Sequence, residues 1–282
     1  MPHKALNRIV VRMLFDPEFQ EAVYANPRKI MNPLGIPDDL QDSLLQNDRR
    51  AWNIDSQRRK RSLQGLMGEF PCSCALALSQ TKQLADLDAF FSSSEFHKSV
   101  QNRGSMPLAF IQFLENLYRQ QRITEKQYPD ILQLENHKAL ARRALIQKPL
   151  PLKPNQIVRQ QGVSSCALNS QVIASINLIE NYLYELSLVP AIALCKDKPN
   201  FPELPPPPED SFFLLFQPRD NDIGMSPVSI VIHDALDHLK KPIASPVFLK
   251  VMQQKGLTPQ TANDLLDSLI RENLVVRASE AT

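Results

Sequence analysis

Residues 211–278 read SFFLLFQPRDNDIGMSPVSIVIHDALDHLKKPIASPVFLKVMQQKGLTPQTANDLLDSLIRENLVVRA. SFFLLFQP is bounded by acidic residues and proline and has the apolar density of a strand. Three helices follow, over about Val228–Lys240, Ser245–Gln254 and Thr258–Glu272. The second and third open Ser245-Pro246 and Thr258-Pro259, an N-cap with proline at the first helical position. Gly256 ends the middle helix, and LVVRA (274–278) closes as a strand. Strand, three short helices, strand is the order of a winged helix-turn-helix.

Working back from this stretch, KDKPNFPELPPPPED (196–210) holds six prolines and reads as an extended, solvated connector. Before it, Leu168, Val172, Ile176, Ile179, Leu183 and Leu186 recur at helical spacing, while VPAIAL (189–194) is ambiguous between strand and coil. Ile157-Val158 is a candidate short strand. KPLPLKP (148–154) is incompatible with helix and separates this half from the residues before it.

The first 147 residues read as helices. Leu6, Ile9, Val10, Met13 and Leu14 mark one apolar face. Asp16-Pro17 and Asn26-Pro27 start the next two helices, and Gly35 ends a turn before LQDSLL. A longer polar helix, roughly Arg49 to Glu69, carries RRKR (58–61), read as a solvated face. Leu84, Leu87, Phe90 and Phe91 share a face, and Ser92–Ser94 offer caps for EFHKSVQ. Ser105 precedes a helix whose buried set is Leu108, Ile111, Phe113, Leu114 and Leu117. Thr124 and Gln127 have capping-box spacing before a helix carrying Ile131, Leu134, Ala141 and Leu145.

Composition narrows the function classes. The 282 residues include 23 prolines but only 7 glycines, which disfavours glycine-rich phosphate loops and hairpin-dense all-β folds. A net charge of +2 is too even for nucleic-acid binding by bulk electrostatics. No apolar run spans a bilayer and the N-terminus lacks a signal-peptide core. Four cysteines make no disulfide framework, so a cytoplasmic location is expected.

No catalytic motif stands out. Cys72-Ser73-Cys74 is one tight pair, with Cys166 and Cys195 isolated, where zinc sites need two separated pairs. His233 and His238, five apart on a helix, do not share a face well and read as surface residues. His97 and His137 have no evident partner. Glu135 fits a paired or a solvated carboxylate, and Glu135 with His137 or the cysteines is the enzyme alternative. There is no G-x-S-x-G, H-E-x-x-H, P-loop or G-x-G-x-x-G.

The three-helix stretch itself admits two readings. A DNA-reading third helix needs exposed cationic or amide side chains near its start. TPQTANDLLDSLIREN offers Gln260 and Asn263 but also Asp264 and Asp267. A peptide reader instead needs an exposed strand edge and apolar pockets on a helix. Phe212, Phe213, Leu214, Leu215 and Phe216 on the strand, with Gln260, Asn263, Leu266 and Ile270 on the helix, are the candidate peptide-binding residues.

Two stretches carry a family resemblance. The first is FFSSSEFHKSVQNRGSMPLAFIQFLENL (90–117) with YPDILQLENHKALARRA (128–144). The second is KPLPLKPNQIVRQQ (148–161) with DSFFLLFQPRDNDIGMSPVSIVIHDALDHLKKPIA (210–244). Together they resemble the partner proteins of multinuclear non-heme iron oxidative enzymes that modify cysteine-containing precursor peptides, as in methanobactin-, thiaglutamate- and bufferin-type pathways. LFDPEFQEAVYANPRKIMNPLGIPDDLQDSLL (14–45) is similar to small helical modules of ring-opening dioxygenase small subunits and of some precursor-maturation proteins.

The resemblance implies a non-catalytic subunit that binds a ribosomal precursor peptide and presents it to an iron-dependent TIM-barrel oxidative enzyme. It implies no cofactor in this chain and iron in the partner, with neither membrane nor nucleic acid as a target. The expected fold is mainly α with an α+β C-terminal part: a helical domain over 1–147, a linker region with one helix over 148–210, and a winged-helix recognition domain over 211–282. A winged-helix transcription regulator is the alternative.

Overall fold

The computed structural model of the chain describes residues 2–52, 57–102, 104–144, 152–186, 194, 201–219 and 222–278. The ambiguous stretch 189–193, Cys195, and residues 148–151 and 196–200 of the two proline-rich segments lie outside them. The chain is mainly helical, with small antiparallel sheets confined to its C-terminal part. It divides into two units, residues 1–132 with 176–203, and residues 133–175 with 204–282. Those boundaries cross the expected ones: the stretch read as a linker region contributes two strands to the second unit.

The first unit begins with α1 (Pro2–Phe15), α2 (Pro17–Ala25), α3 (Pro27–Met31) and α4 (Asp38–Leu45). Proline opens α2 and α3 because its missing N–H falls where a helix has no acceptor to offer. Asp16 caps α2 by accepting from the Phe19 N–H at 3.0 Å, and Gly35 turns the chain at φ 66°. Ala5, Ile9 and Met13 of α1 pack with Val23, Met31, Ile36 and Leu44.

Next come α5 (Arg49–Trp52), α6 (Arg58–Glu69), α7 (Pro71–Thr81), α8 (Leu84–Asp88), α9 (Ser94–Gln101) and α10 (Met106–Arg119). Every residue of α7 from Cys72 to Leu78 is buried. Phe90 lies 5.0–5.7 Å, centroid to centroid, from Phe91, Phe96, Phe110 and Phe113, spacings at which tilted and edge-to-face rings attract. The RRKR segment is not simply a solvated face. Arg59 is half-buried, forms an ion pair with Asp88 at 2.6 Å and donates to the Phe15 carbonyl. The capping box at Thr124 does not form: α11 (Tyr128–Ala144) starts later, and the Gln127 N–H goes to Glu125.

The second unit holds β1 (Gln156–Arg159) and β2 (Ser164–Asn169); α12 (Val172–Glu185) follows, with its residues from Ile176 onward in the first unit. Leu168, read as the first residue of the helical stripe, lies in β2. After the connector come β3 (Ser211–Pro218), β4 (Ile223–Val228), α13 (Ile230–His238), β5 (Ile243–Ala244), α14 (Ser245–Gln254), α15 (Pro259–Arg271) and β6 (Val275–Arg277). One antiparallel sheet runs β5-β1-β6 and the other β2-β3-β4. The proline-rich connector is not fully solvated over its described residues. From 201 to 209 only Glu203, Pro206 and Glu209 are exposed. That period of three is the geometry of a polyproline II helix with one face to water.

α13, α14 and α15 enclose a core of Ala235, Leu236, Leu239, Phe248, Met252, Ala262, Leu266 and Leu269, closed by Ile157, Val163, Leu215, Leu274 and Val275 from the strands and their ends. Thr258 caps α15 as expected. Ser245 does not cap α14: it is the helix's first residue, and its Oγ donates to the Asn155 carbonyl at 3.3 Å.

Gly162 leads into β2 at φ 78°, a conformation that L side chains rarely adopt. A Cβ there would collide with Ala144 and stand 2.5 Å from Pro218. Gly162→Ala is expected to lower the unfolding free energy by about 2–4 kcal/mol, combining positive-φ strain with overpacking. Urea unfolding at fixed pH measures it, and a change under about 0.5 kcal/mol contradicts this account.

Candidate functional site

β2 and β3 pair with Ser164 opposite Phe216, Ser165 opposite Leu215 and Ala167 opposite Phe213. Side chains alternate along a strand, so Ser164 and Phe216 share one face while Ser165 and Phe213 share the other. Each face receives a histidine. His137 of α11 reaches the first: its Nδ1 lies 2.7 Å from Ser164 Oγ, and its ring stacks on Phe216 at 5.1 Å. His233 of α13 reaches the second: its Nδ1 lies 2.9 Å from Ser165 Oγ, and its ring lies 4.6 Å from that of Phe213. The same strand therefore pins a helix on each side through an imidazole–hydroxyl bond.

Burial pushes the His137 imidazole down to about 4, helped by the positive charges of Arg159, Lys240 and His233. At neutral pH it is an uncharged ring, and the proton shared with Ser164 is a neutral hydrogen bond. Arg159, on β1, is itself made less basic by burial, against the opposing pull of Asp237. Asp237 is held low first by its bond to Lys240. His233, Asp237 and Lys240 follow one another at i, i+4 and i+7, one face of α13 and the turn after it. Along this helix Lys240 pairs with Asp237 and Lys255 with Asp234, and Arg159 lies within reach of the Asp237 charge.

The sequence-derived peptide-binding residues fare differently. Phe212–Phe216 do form a strand, but β3 is the central one: β2 covers one edge and β4 the other. The expectation of an exposed edge on this strand is therefore corrected. A strand apolar on both alternations loses most apolar contact with water in the middle of a sheet. Leu214, Leu215 and Phe216 are buried, and Phe212 and Phe213 are half-buried. Leu266 belongs to the three-helix core, and the partly buried Ile270 packs against it. Gln260 and Asn263 are exposed but turned onto their own helix: Gln260 Nε2 donates to Asp264 and Asn263 Nδ2 to the Pro259 carbonyl.

Sequence reasoning missed Ser164 and Ser165 and left His137 without a partner. The pairs lie 27 and 68 residues apart in the chain, so no local signal announces them. Cys72, Cys74 and Cys166 are buried. Glu135 is also buried. Among the described residues, no three His, Cys, Asp or Glu side chains gather as a metal site, and no helix is long and apolar enough to cross a membrane. Comparison of the chain with models of protein families, with curated proteins and with solved structures finds no match.

Two outcomes are expected. A histidine whose proton affinity drops on folding binds its proton more readily when unfolded. Its contribution is therefore complete above the unfolded value of 6.5 and is lost as pH falls from there towards 4. Between pH 7 and 4.5 the wild type should lose about 2 kcal/mol more than His137→Gln; equal pH slopes in urea unfolding refute this. Leu266→Ala should cost about 2–5 kcal/mol by opening a core cavity, seen as a lowered unfolding midpoint; an unchanged midpoint contradicts a core role.

Proposed function

We propose that this chain is a non-catalytic partner subunit that binds a ribosomally made precursor peptide and presents its cysteine-containing end to an iron-dependent oxidative enzyme. The observation that carries the reading is a three-helix unit whose core takes in Ile157 of the β5-β1-β6 sheet and Leu215 of the β2-β3-β4 sheet, each sheet having two edge strands. β5 lies between the first and second helices and β6 after the third, both paired to β1. This arrangement supports a winged helix whose central strand comes from upstream in the chain. Sheet edges recognise extended peptides through main-chain hydrogen bonds, without requiring any catalytic group. The family resemblance of residues 90–117, 128–144, 148–161 and 210–244 supplies the class of partner.

The same fold serves DNA readers, but α15 argues against that use. Its exposed amides are tied to its own helix, and Asp264, Asp267 and Glu272 would face phosphates with like charge. Co-expression of the tagged chain with an iron oxidative enzyme and a small cysteine-containing peptide encoded beside it tests the proposal. The three should copurify, the peptide should change mass only when both proteins are present, and iron should follow the enzyme. A chain that stays a monomer and retains neither partner overturns the reading. Salt-sensitive binding to duplex fragments would support the DNA alternative.

A further inference from the structure

Among the described residues no further strand pairs with either edge of the β2-β3-β4 sheet, and the two edges are not equivalent. In an antiparallel ladder, residues alternate between pairs that exchange both backbone hydrogen bonds and pairs that exchange none. The unbonded residues of an edge strand point their N–H and C=O outward. The phase is set at the end of each hairpin. Arg219 and Asp222 exchange both bonds, so Gln217 with Gly224, Leu215 with Ser226, and Phe213 with Val228 are the bonded pairs of β3 and β4. The outward groups of β4 therefore belong to Ile223, Met225 and Pro227. Ser170 donates to the Asp210 carbonyl, which makes Ser164, Cys166 and Leu168 the bonded residues of β2. Ser165 and Ala167 point outward.

Edge β4 is protected. Pro227 has no N–H, and the Ile223 N–H is taken by the Asp222 carboxylate at 2.7 Å. Of these three positions only Met225 offers a donor. Proline and a capped donor are devices by which edge strands refuse a further strand. Edge β2 carries neither device at Ser165 and Ala167, and Ala167 is exposed. α13 packs beside it on one face of the sheet, with His233 bonded to Ser165.

We infer that an extended segment of the precursor peptide adds to the outer edge of β2 at Ser165 and Ala167, that β4 refuses it, and that the segment carries an acidic side chain on the His233 face. The inference rests on the peptide-binding reading above. The Ser165 and Ala167 N–H groups donate to peptide carbonyls, and their carbonyls accept peptide N–H groups. A peptide side chain on the Ser165 face lies beside α13, where Lys240 pairs with Asp237 and Lys255 with Asp234; Arg159, whose N–H donates to the Leu239 carbonyl at the end of α13, adds a further cation, so a carboxylate is favoured over an ammonium there.

The test uses the full chain and three fluorescein-labelled dodecapeptides: alternating Val and Glu, alternating Val and Lys, and the Val–Glu peptide with every second amide N-methylated. The first should bind at least 10-fold more tightly than the other two. Ala167→Pro removes an outward donor and should weaken it at least 10-fold, while Met225→Pro, the equivalent change on β4, should leave it within 2-fold. Amide exchange on the unmutated protein guards against misfolding of the variants. Ser165 and Ala167 should gain at least 10-fold protection on binding and Met225 none. Protection at Met225 alone, or binding lost in Met225→Pro and kept in Ala167→Pro, overturns the edge assignment and leaves the peptide-binding reading standing. Equal binding of the Val–Lys peptide overturns the acidic preference. Failure of all three peptides while the precursor still copurifies overturns this inference alone.

Discussion

A strand that is apolar on both faces has to be covered on both faces, and the second unit is organised around that constraint. Phe212 to Phe216 put Phe212, Leu214 and Phe216 on one side of β3, and Phe213 and Leu215 on the other. An outer sheet position with one wet face would leave several of these in water, at roughly 25 cal/mol for each Å² of apolar area. β3 accordingly sits between β2 and β4, α11 supplies His137 against one face, and α13 supplies His233 against the other. Burial keeps His137 uncharged at neutral pH against Phe216 and Ser164. The two imidazoles thus tie helices to a sheet at points where an aliphatic side chain would leave the serine unpaired.

The three-helix unit solves a different problem. β5 has two residues and β6 three, too few to pair with each other across the end of the bundle. β1, more than 80 residues before β5 in the chain, enters between them and buries Ile157 in the helix core. The turn after β1 then delivers the chain directly into β2. Gly162 makes that passage possible, since the space a side chain would need is filled by Ala144 and Pro218. One short segment, Gln156 to Asn169, so contributes a strand to each of the two sheets and holds the helix core and the β3 sheet in a single unit.

Much of the helical fold was legible because its signals are local. Asp16-Pro17, Asn26-Pro27 and Thr258-Pro259 start helices for reasons contained in a few residues: a proline with no N–H to satisfy and, at Asp16 and Thr258, a side-chain acceptor. The same locality explains the misreadings. Ser245 looked like a cap, but a distant carbonyl, Asn155, claims its hydroxyl. Thr124 and Gln127 had the spacing of a capping box, but the Thr124 N–H is taken by Gln80. RRKR looked like a solvated face until Asp88 and the Phe15 carbonyl supplied partners for Arg59. The candidate site was the least legible part, because each of its bonds joins residues far apart in the chain.

The sequence alone determined the helix starts marked by Asp16-Pro17, Asn26-Pro27 and Thr258-Pro259, that SFFLLFQP is a strand, and that its residues demand cover on both sides. It even carried, unread, the two prolines that mark the ladder's phase, since Pro218 and Pro227 are tolerated only where no N–H is required. What only the tertiary structure decided is which strands lie beside β3, which upstream segment completes the three-helix unit, and which strands form the sheet's edges. Those are properties of pairing. A backbone N–H points towards a neighbour or away from it only once a register exists, and register is set by contacts between residues that the chain itself keeps apart.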